Sequence, residues 1–234
     1  MSGGAGEGAR AAAPRLEWAA IDTVLLDMDG TLLDLHFDNH FWLHHVPEAL
    51  ARRDGGDPEE KLAWLRQAYA RVAGRLEWYC VDHWSRELGL PIAELKEEVG
   101  HYVRPLPHAF EFLRAVGRMG RRRVLVTNAH PKSLALKLRL TGLGALLEEI
   151  VVSHDLGAPK EDARFWARLR GVLAYDPGRS LLVDDSLPVL EAARAAGVRF
   201  VVAVTRPDTT RPERRVEGFP AVRTLAELLP GAAG

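Results

Sequence analysis

Four stretches of this chain place chemically capable side chains directly after short apolar runs. Asp27-Met28-Asp29-Gly30-Thr31 closes the run 21–26, and Thr127-Asn128 follows the run 123–126. Pro159-Lys160-Glu161-Asp162 lies in the loop after the run 149–152, and Asp184-Asp185-Ser186 closes the run 180–183. Brought together, they would collect carboxylates, a hydroxyl, an amide and an ammonium. Crowded carboxylates repel one another and require a cation. An oxygen-only donor set suits a hard ion, and Mg²⁺ takes one or two protein carboxylates together with phosphate oxygens and water. Such an ion and Lys160 would neutralise a phosphoryl group as charge shifts during its transfer. Asp27 can attack phosphorus and form an aspartyl-phosphate. Asp29, two residues on, is placed to protonate the leaving oxygen and later to deprotonate the attacking water. Thr127, Asn128 and the backbone N–H groups near residues 28–29 and 128 would hold phosphoryl oxygens.

The elements that must position these groups are legible in outline. The runs at 21–26, 123–126, 149–152, 180–183 and 200–204 are short and apolar, mostly β-branched or leucine, as buried parallel strands are. Helical spacing of apolar residues covers 107–118, 131–141, 162–171 and 188–196, with Pro107, Pro131 and Pro188 at starts and Gly142 and Gly197 at stops. Strands alternating with helices predict a Rossmann-like α/β fold, a parallel sheet with helices on both faces. In such a sheet the carboxyl ends of the strands converge on one face, where ligands bind. Residues 35–104 carry only helical patterns and leave the sheet just after the Asp27 loop. The expected organisation is a flexible tail over 1–17, a core formed by 18–34 and 105–234, and a helical cap over 35–104.

Composition narrows the class. The chain has 234 residues, 47% hydrophobic and 27% charged, which suits a globular protein of one or two domains. With 31 basic and 32 acidic residues the net charge is -1, so no global field favours nucleic acid or an anionic membrane. No apolar run is long enough to span a bilayer, and the Gly- and Ala-rich N-terminus lacks an apolar signal-peptide region. The single cysteine, Cys80, rules out an internal disulfide framework and fits a cytoplasmic setting. Its aromatic surroundings read as packing.

The four motifs, in this order and these strand–loop contexts, resemble the phosphatase branch of the haloacid dehalogenase superfamily. The resemblance implies that Asp185 is the final acidic metal ligand, alongside Asp27 and Asp29, and that Asp184 tunes Lys160 or the metal's waters. Asp29 argues against a true dehalogenase, which lacks this second acid and the metal. A resemblance over about residues 17–229 is more specific. Asp27–Asp34, Phe37-Asp38-Asn39, Trp78-Tyr79-Cys80, Thr127–Pro131 and Pro159–Asp162 are similar to the bacterial GMP/IMP nucleotidases of that superfamily. It implies magnesium-dependent hydrolysis of a small phosphomonoester, a purine nucleoside monophosphate, with no nucleic-acid or membrane partner. Asp34, His36, Phe37 and Asn39, which leave the catalytic loop first, are candidates to touch substrate, as is His130. Trp42, Trp78 and Trp84 fit either base stacking or a helical core. The rival readings are a phosphatase for phosphoglycolate or a sugar phosphate, a phosphomutase, and a silent binding protein on the same fold.

Overall fold

The computed structural model describes residues 14–231. Residues 1–13, most of the expected tail, lie outside it. Residues 14–17 form neither helix nor strand, and Leu16 packs against the core.

Six parallel strands form one sheet: β1 (Thr23–Leu26), β2 (Arg122–Thr127), β3 (Glu149–Val152), β4 (Ser180–Asp184), β5 (Phe200–Val204) and β6 (Ala221–Val222). Their order is β3-β2-β1-β4-β5-β6, so β1 lies in the interior between β2 and β4. Alternating side chains divide the strands between two apolar layers. Val24 and Leu26 pack with Phe112, Leu113 and Val116 of the helix Ala109–Arg118 on one face. Leu25 packs with Phe165 and Trp166 of Ala163–Val172, and with Leu190 of Leu187–Ala195, on the other. All four residues of β1 are buried, which is why its sequence is continuously apolar apart from Thr23.

The helices begin and end close to the expected positions. Asp162 caps Ala163–Val172 by accepting the Arg164 N–H at 2.8 Å. Pro131 opens Pro131–Thr141, and Gly142 ends it in the left-handed region at φ 70°. The helix expected from residue 107 starts at Ala109, because His108 adopts φ 65°. β6 was not expected. At two residues it is too short to show a period, and it is held by backbone bonds to β5 and Thr205.

Between Leu35 and Tyr102 the described chain has helices and turns and no strand. The longer helices are Val46–Asp54, Pro58–Val72, Val81–Leu88 and Ile92–Glu98. They enclose a separate apolar cluster including Phe37, Phe41, Leu65, Trp84 and Ile92, joined by Leu136 from the core helix Pro131–Thr141. The segment leaves and re-enters the core side by side. Asp34 donates its N–H to the Arg104 carbonyl at 2.8 Å, and Leu106 donates to the Leu32 carbonyl at 2.9 Å. No helix among the described residues is long and apolar enough to cross a membrane.

Candidate active site

Two strand ends and one loop meet at Lys160. Its ammonium donates to Asp27 at 2.5 Å, just beyond β1, and to Asp184 at 2.6 Å, the last residue of β4. The lysine side chain is only 2% exposed, so its charge is held by these two carboxylates rather than by water. Burial alone would lower the ammonium's pKa, but Asp184 and Asp27 outweigh it and raise it above the ordinary lysine range. The loop is placed by Asn128, whose Oδ1 accepts the Lys160 N–H at 2.9 Å while its Nδ2 donates to Glu161 at 3.0 Å. Trp166 donates its ring N–H to the Lys160 carbonyl at 2.7 Å.

Asp27, Asp184 and Asp185 bring one oxygen each within 4.8 Å of one another. Burial pushes Asp27 well above the ordinary carboxylate range, opposed by Lys160 and reinforced by Asp184 and Asp185. Burial, then Asp184, raises Asp185 to about 7 against the pull of Arg214. This crowding of oxygen donors is the environment that a hard cation relieves. Gly30 makes the close approach possible. At φ 92° it turns the loop, and a Cβ there would sit 2.8 Å from both the Asp185 carboxyl carbon and Pro207.

Asp29 belongs to a second cluster. Its carboxylate accepts from Lys137 at 2.6 Å, and Lys137 also donates to Asp38 at 2.6 Å. Asp38 in turn accepts from Lys96 at 2.8 Å. Asp38 and Lys96 lie in the inserted helices, whereas Lys137 lies in the core helix Pro131–Thr141. Burial raises the Asp29 carboxyl, with Lys137 the main opposing influence. Burial would raise Asp38 too, but Lys137 and Lys96 together hold it well below the usual range.

Both clusters open onto a cavity of about 400 Å³. Asp27, Asp29, Lys160 and Asp185 line it on the core side, and Trp42, Tyr69, Trp78, Tyr79 and Trp84 line it from the inserted segment. Thr127, Asn128, Asp184, Asn39 and His130 also border it. Thr127 Oγ1 accepts the Ala129 N–H at 3.0 Å and can still donate its own proton. Asp34, His36 and Phe37 stand outside the cavity lining. Asp34 anchors the chain exit, accepting the His36 N–H at 3.0 Å and the Thr209 hydroxyl. Phe37 is buried beneath Lys96 and Lys137, whose ammonium groups lie 4.9 and 5.1 Å from its ring centre. His36 packs edge-on against Tyr102.

The chain matches the haloacid dehalogenase-like hydrolase family over residues 21–197. The chain belongs to this family. It is 41% identical over 215 residues to the GMP/IMP nucleotidase YrfG of Escherichia coli (strain K12), covering 92% of this chain and 97% of that one. It is 33% identical to the plasmid phosphoglycolate phosphatase of Cupriavidus necator, covering 89% of this chain and 96% of the relative. Among solved structures, the HAD phosphatase of Thermococcus onnurineus superposes with a TM-score of 0.73 at 24% identity, over 88% of this chain and 95% of that one. The protein is thus a haloacid dehalogenase-like hydrolase, and its fold is that of the family.

Several site residues of this hydrolase escaped the sequence reading. Lys137 and Lys96 each occupy a buried helical position: Lys137 follows Ser133 by four residues, and Lys96 follows Ile92 by four. A cation on an apolar helical face was the available clue. Arg214 reaches Asp185 at 3.2 Å from the loop after β5, and no local pattern marks it. Tyr79, quoted within a motif, donates to Glu161 at 2.9 Å and so ties the inserted segment to the Lys160 loop.

Proposed function

We propose that the protein is a magnesium-dependent phosphomonoesterase that works through a phosphoaspartate at Asp27 and hydrolyses IMP and GMP to nucleoside and phosphate. The observation that carries this reading is the cavity itself, with a lysine–carboxylate floor below and an aromatic wall above. The inserted segment 35–104 serves as the cap, and the core 18–34 with 105–234 carries the chemistry. The oxygen-only group of Asp27, Asp184 and Asp185 fits Mg²⁺. Asp27 and Asp185 would hold the ion, with Asp184 beside them keeping Lys160 in place. When bound, it would offset the negative charge of the phosphoryl group and of the carboxylates around it.

The residues of the chain divide the remaining work. Asp27 attacks phosphorus, and the bond to the nucleoside 5'-oxygen breaks. Asp29 gives its proton to that leaving oxygen, and a carboxyl raised by burial suits this role. Water then attacks the phosphoaspartate, losing its proton to Asp29, and phosphate departs. Lys160 balances charge on the phosphoryl oxygens, and Thr127 donates to one of them. Asp29 is also expected as a metal ligand beside Asp27 and Asp185; its Oδ1 accepts from Lys137. Trp42 and Trp78, which with Tyr79 are the wall aromatics left partly exposed, are assigned to the base, whereas Trp84 is 2% exposed and structural.

The similarity to the E. coli GMP/IMP nucleotidase extends through the inserted segment and supports the purine reading. The phosphoglycolate phosphatase relative supports the rival. A two-carbon substrate would leave most of a cavity of about 400 Å³ to water. A magnesium-dependent phosphate-release panel decides between them. IMP and GMP should exceed AMP, pyrimidine nucleotides, phosphoglycolate and sugar phosphates in kcat/KM. Equal or faster turnover of phosphoglycolate or a sugar phosphate would overturn the nucleotidase assignment, and an isomerised sugar phosphate without free phosphate would indicate a mutase.

A further inference from the structure

At the seam between the inserted helices and the core, Cys80, His130 and His154 each bring one donor atom within 4.8 Å of the others. They arrive from separate elements. Cys80 caps the helix Val81–Leu88, His130 caps Pro131–Thr141, and His154 lies in the short helix Ser153–Leu156 after β3. None of the three has a part in the hydrolysis described above.

His154 is the residue that needs an explanation. Both of its ring nitrogens are buried and neither has a hydrogen-bond partner. Leaving such a group unsatisfied is destabilising, so a buried polar atom ordinarily has a partner. Its ring stands edge-on to His130 with centres 4.9 Å apart, an arrangement that satisfies no nitrogen. The neighbouring donors are only loosely engaged. His130 Nδ1 accepts the Lys132 N–H at 3.3 Å, and its Nε2 lies 3.7 Å from Asp82. The Cys80 sulfur accepts the His83 N–H at 3.3 Å.

We propose that Cys80, His130 and His154 form a transition-metal site suited to Zn²⁺, with Asp82, 3.7 Å from His130 Nε2, as a candidate for a fourth position. Thiolate and imidazole donors select Zn²⁺ over Mg²⁺, whereas the Asp27 group has the opposite preference. The two clusters therefore sort metals by chemistry. Cys80 and Asp82 come from the inserted segment and His130 and His154 from the core, so a bound ion cross-links the two layers beside the cavity. Only the native arrangement assembles all the donors, and the ion therefore stabilises it.

The test is a titration of the full chain with Co²⁺ in excess Mg²⁺, followed by Zn²⁺. One equivalent of Co²⁺ should give a sulfur-to-cobalt charge-transfer band and tetrahedral d–d bands, and Zn²⁺ should displace it one for one while raising Tm. Cys80→Ser should remove the charge-transfer band, and His154→Phe should weaken binding at least tenfold, with circular dichroism verifying that both variants fold. Should His154→Phe not fold, His154→Asn makes the same test. Asp27→Asn should leave the bands intact, which separates this site from the hydrolytic one. Absence of the bands, their persistence in Cys80→Ser, or undiminished binding in the His154 variant would overturn the proposal.

Discussion

Two buried lysines each bridge a pair of carboxylates at this cavity, and they do so in different ways. Lys160 joins Asp27 and Asp184, all within the core and all at or near strand ends. Lys137 joins Asp29 in the core to Asp38 in the inserted segment, and Lys96 completes that cluster from the inserted side. The first cluster follows from the register of β1 against β4 and from the loop that Asn128 places, and its three charged groups all come from the core. The second is complete only while the two layers are docked, since Lys137 meets Asp38 across them. On the proposed mechanism the nucleophile is therefore set by the sheet, whereas the acid–base group is tied to the joint. A family that changes its inserted segment can keep the first cluster while retuning the second.

This contrast can be broken most severely at the sheet. Asp27→Asn should lower kcat by at least about 10⁴-fold with every substrate, because it removes the nucleophile. The protein should stay folded, since Lys160 retains Asp184. Phosphate release near the wild-type rate would sink the phosphoaspartate mechanism. Lys160→Met comes next. It should abolish detectable turnover and cost about 3–5 kcal/mol in denaturant unfolding, because it strands buried carboxylates without their cation. An unchanged unfolding midpoint would show that the core cluster is not structural.

At the joint the effects should be smaller and differently signed in pH. Lys137→Met should reduce kcat by about 10²-fold. Lys137 opposes the burial that raises Asp29, so its removal raises that carboxyl further. The limb of the pH–rate profile that reports deprotonated Asp29 should then move to higher pH. Asp38→Asn removes a neighbouring negative charge from Asp29 and should move the same limb the other way, with a kcat loss of about tenfold. If both substitutions left the profile in place, the proton role of Asp29 would fall.

The smallest effect is expected at another contact of the joint, where Asn39 donates to Asp208 at 2.6 Å. Burial would raise Asp208, but hydrogen bonds from Thr210 and Asn39, with His36 nearby, hold it below the usual value of 3.8, and Arg211 adds a contact at 3.3 Å. A carboxyl depressed in the folded state takes its proton later than in the unfolded chain. Its stabilisation is complete above pH 3.8 and is lost as the pH falls through the folded value. Asp208→Asn should therefore flatten the acid limb of the stability curve, and a calorimetric series from pH 5 to pH 2 measures it.

What the sequence discloses follows the same division. Asp27, Thr127 and Asp184-Asp185 sit just after or within runs whose apolar character announces a buried strand, so their convergence follows from topology, and Lys160 lies in the loop beyond another such run. Lys137 and Lys96 leave only a faint trace, a cation on an apolar helical face, and Asp38 looks like an ordinary polar position on a helix. Only the docking of the two layers brings Lys137 and Asp38 together, and no local pattern encodes a docking angle. Cys80 and His154 are hidden for the same reason. Asp34, which follows the motif in sequence, serves the chain exit because its carboxylate is taken by His36 and Thr209. Proximity in sequence to a catalytic loop places a residue near the site without turning it inward.

The side-by-side exit and return of the inserted segment, at Asp34 and Arg104, has an evolutionary consequence. The two junctions form a single narrow socket, already closed by backbone bonds that use no particular side chain. A helical segment of another length or sequence could be spliced in at that socket without lengthening any connection within the sheet. Substrate range could then change through recombination at one place, while the residues that break the phosphate ester passed unaltered from parent to descendant.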